Sequence, residues 1–327
     1  MELLNNLFSI AIDCGKFNTK AVFENMGVRE SLIMRTTLRK NHDTVQVLDN
    51  VHCISINGQK YTVGDSEDGL SPESIKLDKN SELHEIATLT MIAKALNHCK
   101  IKAGKDANLK VNLCINIPLS QYVLPQKRAE IEALYSQKEI KITLDGTDYN
   151  FTIENVLVLY EGAGILVKYN EFLKNRNVYV VDCGGLNVTR LSIVNGKINT
   201  KTLKTGSEGC NALAYKIYDE VNSKYDRKLL ESDIMKALRG EDRFKGKNAD
   251  EINALVSEKL EEFTQSIVMG MTNDVDLDSH EILLLGGSSD FYYPILTKEL
   301  NRTLKLSNNA ILDNVEGFFH TMKLKGL

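Results

Sequence analysis

The chain has no tryptophan, only four prolines, and no Cys-x-x-Cys pair among its six cysteines in 327 residues. The first two absences say little. The third removes a thioredoxin-like redox motif, and no Cys/His cluster has zinc spacing. His84, His98 and His280 also lack partners at metal spacing. No apolar run approaches the roughly 20 residues that span a bilayer. The start, Met1-Glu2-Leu3-Leu4-Asn5-Asn6, has neither the basic residues nor the apolar core of a signal peptide. A basic surplus is missing too: 40 Lys and Arg face 44 Asp and Glu, a net charge of −4. A sequence-independent grip on nucleic acid wants a clearly basic surface, so any work on DNA is expected to run through a partner. These absences predict a soluble, cytoplasmic protein without a membrane partner. Cys14, Cys53, Cys99, Cys114, Cys183 and Cys210 are expected as free thiols, four of them in apolar or glycine-rich strand and turn segments.

What is present suits an ordinary globular protein, 43% hydrophobic and 26% charged, at a length comfortable for two domains. Leu7 to Ile12 reads as a buried strand ending in Asp13-Cys14-Gly15, with returning strands at Thr19 to Glu24 and Val28 to Arg35. Asn57-Gly58 and Asp145-Gly146 mark hairpins. A helix is expected from an N-cap at Ser81 to Lys100, and another over Pro125 to Ser136. Leu109 to Ile117 and Val156 to Tyr160 read as strands, the second followed by one helix over Glu161 to Leu173. A second series then opens. Strands are expected at Val178 to Val181, Val188 to Val194 and Lys197 to Leu203, with Asn195-Gly196 as a turn. Helices follow at Cys210 to Lys224, Ser232 to Leu238 and Ala249 to Met271. A strand at Glu281 to Leu285 leads to helices at Tyr293 to Arg302 and Val315 to Leu324.

The two series match. Asp13-Cys14-Gly15 aligns with Asp182-Cys183-Gly184, and at the same offset Asn18 meets Asn187 and Gly27 meets Gly196. The repeat unit is strand, Asp-x-Gly turn, strand, turn, strand. Two ordinary hairpins sharing turn residues would be the plainer account. Five identities at one offset, with apolar flanks in register, favour a true repeat. Such a turn suits phosphate: glycine lets backbone N–H groups approach an anion, and an aspartate at the strand end can hold water on Mg²⁺. Gly240 to Lys247 is not a P-loop, because its spacing is wrong and Asn248 stands where Ser or Thr is required. A dinucleotide-binding GxGxxG is absent.

Five segments, in order, carry a family resemblance: IAIDCGKFNTKAVF, VNLCINIPLSQY, VLVLYEGAGILV, VYVVDCGGLNVTRLSIVNG and EILLLGGSSDF. They resemble the first phosphate loop, first connector, second connector, second phosphate loop and adenosine motif of the superfamily of actin, sugar kinases and DnaK-type chaperones. Within it the chain looks most like the bacterial plasmid-segregation actins, the ParM group, through DCGKFNTK, NIPLSQY, LYEGAG and the closing EGFFHTM. The resemblance implies an α/β fold of two ribonuclease-H-like, actin-type domains with a nucleotide cleft between them. The first would cover 1–174, with a helix of about 313–327 packing back on it, and the second 175–312. It also implies ATP- or GTP-driven polymerisation with Mg²⁺, filaments of the protein itself, and a small DNA-binding adaptor reaching plasmid DNA.

Carried over residue by residue, the resemblance makes Asp13 and Asp182 metal-site aspartates acting through water. Glu161 becomes the acid that orients the attacking water and also faces the metal. Gly15, Lys16, Asn18, Thr19 and Lys20 would form the first phosphate loop. Gly184, Gly185, Leu186 and Asn187 would form the second. Gly206, Glu208, Gly209 and Asn211 resemble the ribose-side loop that opens a helix, Lys236 and Arg239 lie where relatives contact adenine, and Gly286, Gly287 and Ser288 match the adenosine motif. Lys16 and Leu186 depart from the small or hydroxyl residues usual there, and Thr189 stands where segregation actins often carry Asp. Read alone, the aspartates also fit turn caps, Lys20 a solvated edge lysine, and Glu161 a helix-start acid. A sugar-type kinase of the same fold and a chaperone-like module are the competing functions. The first lacks a clear base for a substrate hydroxyl, and the chain is short for the second.

Overall fold

A computed structural model describes residues 6–40, 50–64, 82–101, 109–136, 139–185 and 187–327. The contacts divide the chain into two units, Met1–Lys168 with Asn314–Leu327, and Tyr169–Asp313. The expected cap at Ser81 and the expected phosphate-loop residue Leu186 lie outside the described residues.

The first unit opens with β1 (Leu7–Cys14), β2 (Asn18–Asn25) and β3 (Val28–Arg35), an antiparallel meander. β4 (Leu38–Lys40), β5 (Val51–Ile56) and β6 (Gln59–Gly64) follow, then α1 (Glu82–His98) and β7 (Leu109–Ile117). α2 (Leu119–Tyr122) and α3 (Pro125–Tyr135) lead to β8 (Glu139–Leu144), β9 (Thr147–Tyr160) and α4 (Ala163–Lys168). The nine strands form one sheet in the order β3-β2-β1-β7-β9-β8-β5-β6-β4, with β1, β7 and β9 parallel. β1 and β7 are buried along nearly their whole length, as strands covered on both faces must be.

The second unit begins with α5 (Asn170–Leu173), β10 (Asn177–Cys183), β11 (Val188–Val194) and β12 (Lys197–Gly206). Helices α6 (Cys210–Tyr225), α7 (Glu231–Leu238) and α8 (Ala249–Asp274) precede β13 (Glu281–Leu285), α9 (Ser289–Glu299) and β14 (Lys305–Leu306). α10 (Asp313–Leu324) closes the chain. The second sheet runs β12-β11-β10-β13-β14, with β10, β13 and β14 parallel. This repeats β3-β2-β1-β7-β9 strand for strand. The repeat read from five identities is a repeat of topology. Tyr179, Val181 and Cys183 of β10 join the apolar core built with α6 to α9.

Turn chemistry sets the register. Met26-Gly27, Asn57-Gly58, Asp145-Gly146 and Asn195-Gly196 all carry two consecutive positive φ angles, as two-residue hairpins of this twist require. Two helices differ from expectation. The helix expected over Glu161 to Leu173 is two short pieces: Gly162 turns at φ +87 before α4, and Tyr169 breaks the run before α5. α9 starts at Ser289 rather than Tyr293, with Pro294 inside it. Among the described residues no helix is long and apolar enough to cross a membrane.

α10 returns to the first unit through small residues. A Cβ on Gly164 would overlap the Asn314 carbonyl, and one on Gly317 would overlap the Gly164 carbonyl. Asn314 Oδ1 accepts from Gly164 N–H at 3.2 Å, while Val315, Phe318, Phe319 and Met322 bury their side chains. Gly164→Ala is expected to cost about 1–3 kcal/mol by forcing this contact apart, read by urea unfolding. No disulfide joins any of the six cysteines, and Cys53 alone is not buried. Burial pushes the Cys99 thiol up to about 11, and raises Cys114 and Cys183 as well. A thiol reagent at pH 8 should therefore modify Cys53 first in the folded protein, and the others only on denaturation, as peptide mass mapping would show.

Candidate functional site

The strand order places an Asp-x-Gly turn at the same point in each unit, at the end of the central strand between its antiparallel and parallel neighbours. In the first, Gly15 N–H donates to Asn18 O at 3.1 Å; in the second, Gly184 N–H donates to Asn187 O at 2.9 Å. A Cβ on Gly15 would stand 2.8 Å from the Asn18 oxygen, and one on Gly184 2.9 Å from the Asn187 oxygen. Both are closer than real Cβ contacts come, so the turn admits only glycine. The paired Asn residues therefore act through their backbone carbonyls.

Asp13 is buried and directly opposite Lys20 in the β1–β2 register. Opposite residues of an antiparallel pair share a face, and Lys20 Nζ donates to Asp13 Oδ2 at 3.2 Å. Counted along one strand the two would fall on opposite sides; the turn between them resets the parity. Asn116 of β7 donates from Nδ2 to Asp13 Oδ1 at 2.9 Å. Asn116 was not anticipated from sequence. Its signal was a polar side chain inside the apolar run VNLCINI, which only the parallel pairing of β1 and β7 explains. Thr19 is fully buried, its hydroxyl 2.9 Å from that of Thr36 and 3.3 Å from Cys14 Sγ, so it offers a surface only its backbone. Lys16 is half-buried. Phe17 beside it lies under the Arg35 guanidinium, 3.1 Å from the ring centre.

Glu161 lies in the turn after β9, exposed, and its N–H donates to Ile117 O at 2.9 Å. This bond ties the ends of β9 and β7. The carboxylate therefore stands at the same end of the sheet as the turn after β1.

In the second unit Asp182 faces Thr189 in the β10–β11 register. Gly286, at φ +85, packs so closely on Asp182 and the Cys183 carbonyl that a Cβ would overlap them. Ser288 N–H donates to Cys183 O at 3.0 Å, and its buried hydroxyl reaches Cys210 Sγ at 2.9 Å. Ser288 thus braces the turn after β10 from within. A Cβ on Gly287 would come no closer than 3.4 Å to its nearest neighbour, the Ile311 side chain. Asn211 N–H donates to Gly185 O at 2.7 Å, pinning the start of α6 to the same turn. Gly209 is the N-cap of α6, whose first N–H groups carry the positive end of the helix dipole. Tyr292 donates its hydroxyl to Glu208 O at 2.8 Å, and the Glu208 side chain folds back over Gly206. Lys236 and Arg239 are exposed near the end of α7, with Arg239 over the Phe291 ring. Among the described residues no group of three or more His, Cys, Asp or Glu side chains could hold a metal ion.

A mixed sheet with the order 3-2-1 and two parallel strands beyond, built twice, with a glycine-locked aspartate turn after the central strand of each, is the architecture of actin-type proteins. Residues 11–164 match the family model for the N-terminal domain of actin-like proteins. The Alp12 filament structure superposes with a TM-score of 0.70 at 22% identity, covering 98% of this chain and 100% of that one. A 15-stranded ParM filament from Clostridium botulinum gives 0.76 at 17%, covering 98% and 99%. The archaeal actin homologue Ta0583 gives 0.74 at 15%, covering 97% and 99%. No curated protein matches the sequence significantly. Residues 11–164 are thus similar to the N-terminal domain of actin-like proteins, and the chain as a whole is similar in fold to the ParM and Alp proteins.

Replacing Asn116 by Ala removes a donor from a buried carboxylate. A loss of about 1–3 kcal/mol is expected, measured by urea unfolding in the absence of any ligand.

Proposed function

We propose that the chain is a nucleotide-dependent, filament-forming ATPase of the plasmid-segregation kind. The single observation that supports it is the duplicated turn: the same Gly-to-Asn hydrogen bond and the same excluded Cβ, after the same strand of two sheets of one order. A backbone that forbids a side chain at Gly15 and Gly184 is suited to close approach by phosphate oxygens. The residues therefore fit a nucleotide. In this reading the two units are the two actin-type domains.

Gly15, Lys16, Asn18 and Thr19 offer backbone groups to the phosphates, as do Gly184, Gly185, Leu186 and Asn187. Lys20 adds a positive charge, held at the site by Asp13. Asp13 and Asp182 would hold Mg²⁺ through water, an ion that readily keeps its water ligands. The magnesium, when bound, neutralises charge on the phosphates. Glu161 accepts a hydrogen bond from the attacking water and orients it in line. Glu208, Gly206, Gly209 and Asn211 would border the sugar, Gly286, Gly287 and Ser288 would hold the adenosine, and Lys236 with Arg239 would lie beside the base.

Solved proteins of similar fold carry nucleotide: AlfA is a filament bound to AMPPNP, and a Bacillus thuringiensis ParM hybrid holds ADP. Alp12, AlfA and the botulinum ParM are filaments. These support self-assembly here. The ParM resemblance of the sequence adds to this reading a small DNA-binding adaptor that would link the polymer to plasmid DNA in the cytoplasm. The sugar-kinase alternative has no support beyond the shared fold.

The test is sedimentation and electron microscopy of the purified protein. With Mg-ATP or Mg-GTP it should pellet as filaments, and with no nucleotide it should stay in the supernatant. Protein that remains monomeric with both nucleotides at all concentrations would overturn the reading. Glu161→Ala should keep nucleotide affinity while hydrolysis falls about 10²-fold or more, giving filaments that persist.

A further inference from the structure

The hairpin between β2 and β3 departs from the usual chemistry of its turn. Both turn residues carry positive φ, Met26 at +53 and Gly27 at +79. The other three hairpins of this kind place Asn57, Asp145 and Asn195 at the first position. Short polar side chains tolerate left-handed backbone and are the common choice there; methionine is not. The internal repeat makes the contrast direct. At the offset that matches Gly27 with Gly196, Met26 stands for Asn195 and Val28 for Lys197. One copy of the duplicated hairpin runs Asn-Gly-Lys through its turn, and the other runs Met-Gly-Val.

Neither apolar side chain serves the core. Met26 is 79% exposed, the most of any large apolar side chain among the described residues, and Val28 is 61% exposed. Single exposed apolar residues are ordinary on a soluble protein. Here two stand together, one of them in a backbone conformation that disfavours it. Folding does not require them, because asparagine and lysine serve the same turn in the second unit.

The charges beside the tip are already answered. Glu24 pairs with Lys323 at 3.3 Å. Asn25 Nδ2 donates to Glu30 Oε1 at 2.9 Å, and the other Glu30 oxygen meets His98 Nε2. Arg29 lies over the Phe319 ring, 5.5 Å from its centre. Two carboxylates, Glu24 and Glu30, thus stand against two cations, Arg29 and Lys323. A balanced rim around an apolar centre faces its own copy without repulsion, and it offers nothing to a strongly charged partner such as nucleic acid. The tip is also small. Two side chains bury far less than the roughly 800 Å² per partner of a stable dimer, so such a contact counts only where an assembly repeats it.

We propose that Met26 and Val28 form a contact between neighbouring copies of this chain in its polymer. This rests on the filament reading above and deepens it by naming a surface: an apolar hairpin tip of the first unit, at the other end of β2 from the Gly15 turn. Methionine suits the task, since its flexible, polarisable side chain adapts to an apolar neighbour of irregular shape. The disfavoured turn residue is kept because assembly uses the side chain it carries.

The experiment is sedimentation of the full chain over a range of concentrations with Mg-ATP and with Mg-GTP, reading the critical concentration, beside calorimetric titration with the same nucleotides. Met26→Asn and Val28→Lys copy the residues of the second unit. Met26→Asn should raise the thermal midpoint by about 1–3 °C, because asparagine relieves the turn, and yet raise the critical concentration about threefold or more. Both substitutions together should raise it about tenfold or more. Nucleotide affinity should stay within about twofold of wild type. Met26→Leu keeps an apolar side chain and should assemble as the wild type does. A double variant that assembles at the wild-type concentration would overturn the proposal and assign the tip to an occupant other than this chain. A rise matched by an equal fall in nucleotide affinity would overturn it too, since assembly would then be lost through the nucleotide. A wild type that pellets with neither nucleotide would sink the filament reading itself, and that is seen before any variant is made.

Discussion

One backbone hydrogen bond, made twice, organises both halves of this protein: glycine N–H to the carbonyl of the asparagine three residues on. It closes a turn so tight that a Cβ on the glycine would stand within 3 Å of the oxygen it bonds. A side chain there has nowhere to go. The aspartate before the turn and the strand after it are consequently fixed, and the antiparallel register that follows sets which residue faces the aspartate. Lys20 faces Asp13, and Thr189 faces Asp182.

The parallel neighbour then finishes each site in its own way. In the first unit β7 sends Asn116 to Asp13, a hydrogen bond across 103 positions of sequence. In the second, the chain leaving β13 presses Gly286 onto Asp182 with no side chain between. The same place in the same topology is supported once by a donor and once by close packing. A duplicated fold has kept its backbone logic while its two aspartates have acquired different surroundings.

Much of this was legible. Strand-forming runs broken by Asn-Gly and Asp-Gly pairs gave the hairpins directly, because few other dipeptides tolerate two positive φ angles in succession. The Asp-Cys-Gly repeat located both turns, since backbone constraint leaves its mark on residue type. The division of the run after Glu161 into two short helices was not legible: LYEGAGILVKYNEFL has helical spacing, and only the left-handed Gly162 and the break at Tyr169 divide it. Asn116 was missed for another reason. It is a polar side chain on an otherwise buried strand, and its partner is supplied by distant chain. Pattern shows that such a residue is out of place, and only three-dimensional pairing shows what it answers to.

The outer strands of the second sheet carry a further implication. β12 is an edge of ten residues and presents Lys197, Lys201 and Lys204, while the opposite edge, β14, is two residues long. Charged and abbreviated edges resist adding a foreign strand. A molecule whose structural relatives stack into long polymers has reason to forbid uncontrolled sheet growth. Ordered assembly of the kind proposed for this chain would then use side-chain surfaces that can be remodelled and released, rather than a ladder of backbone bonds that would make a polymer permanent.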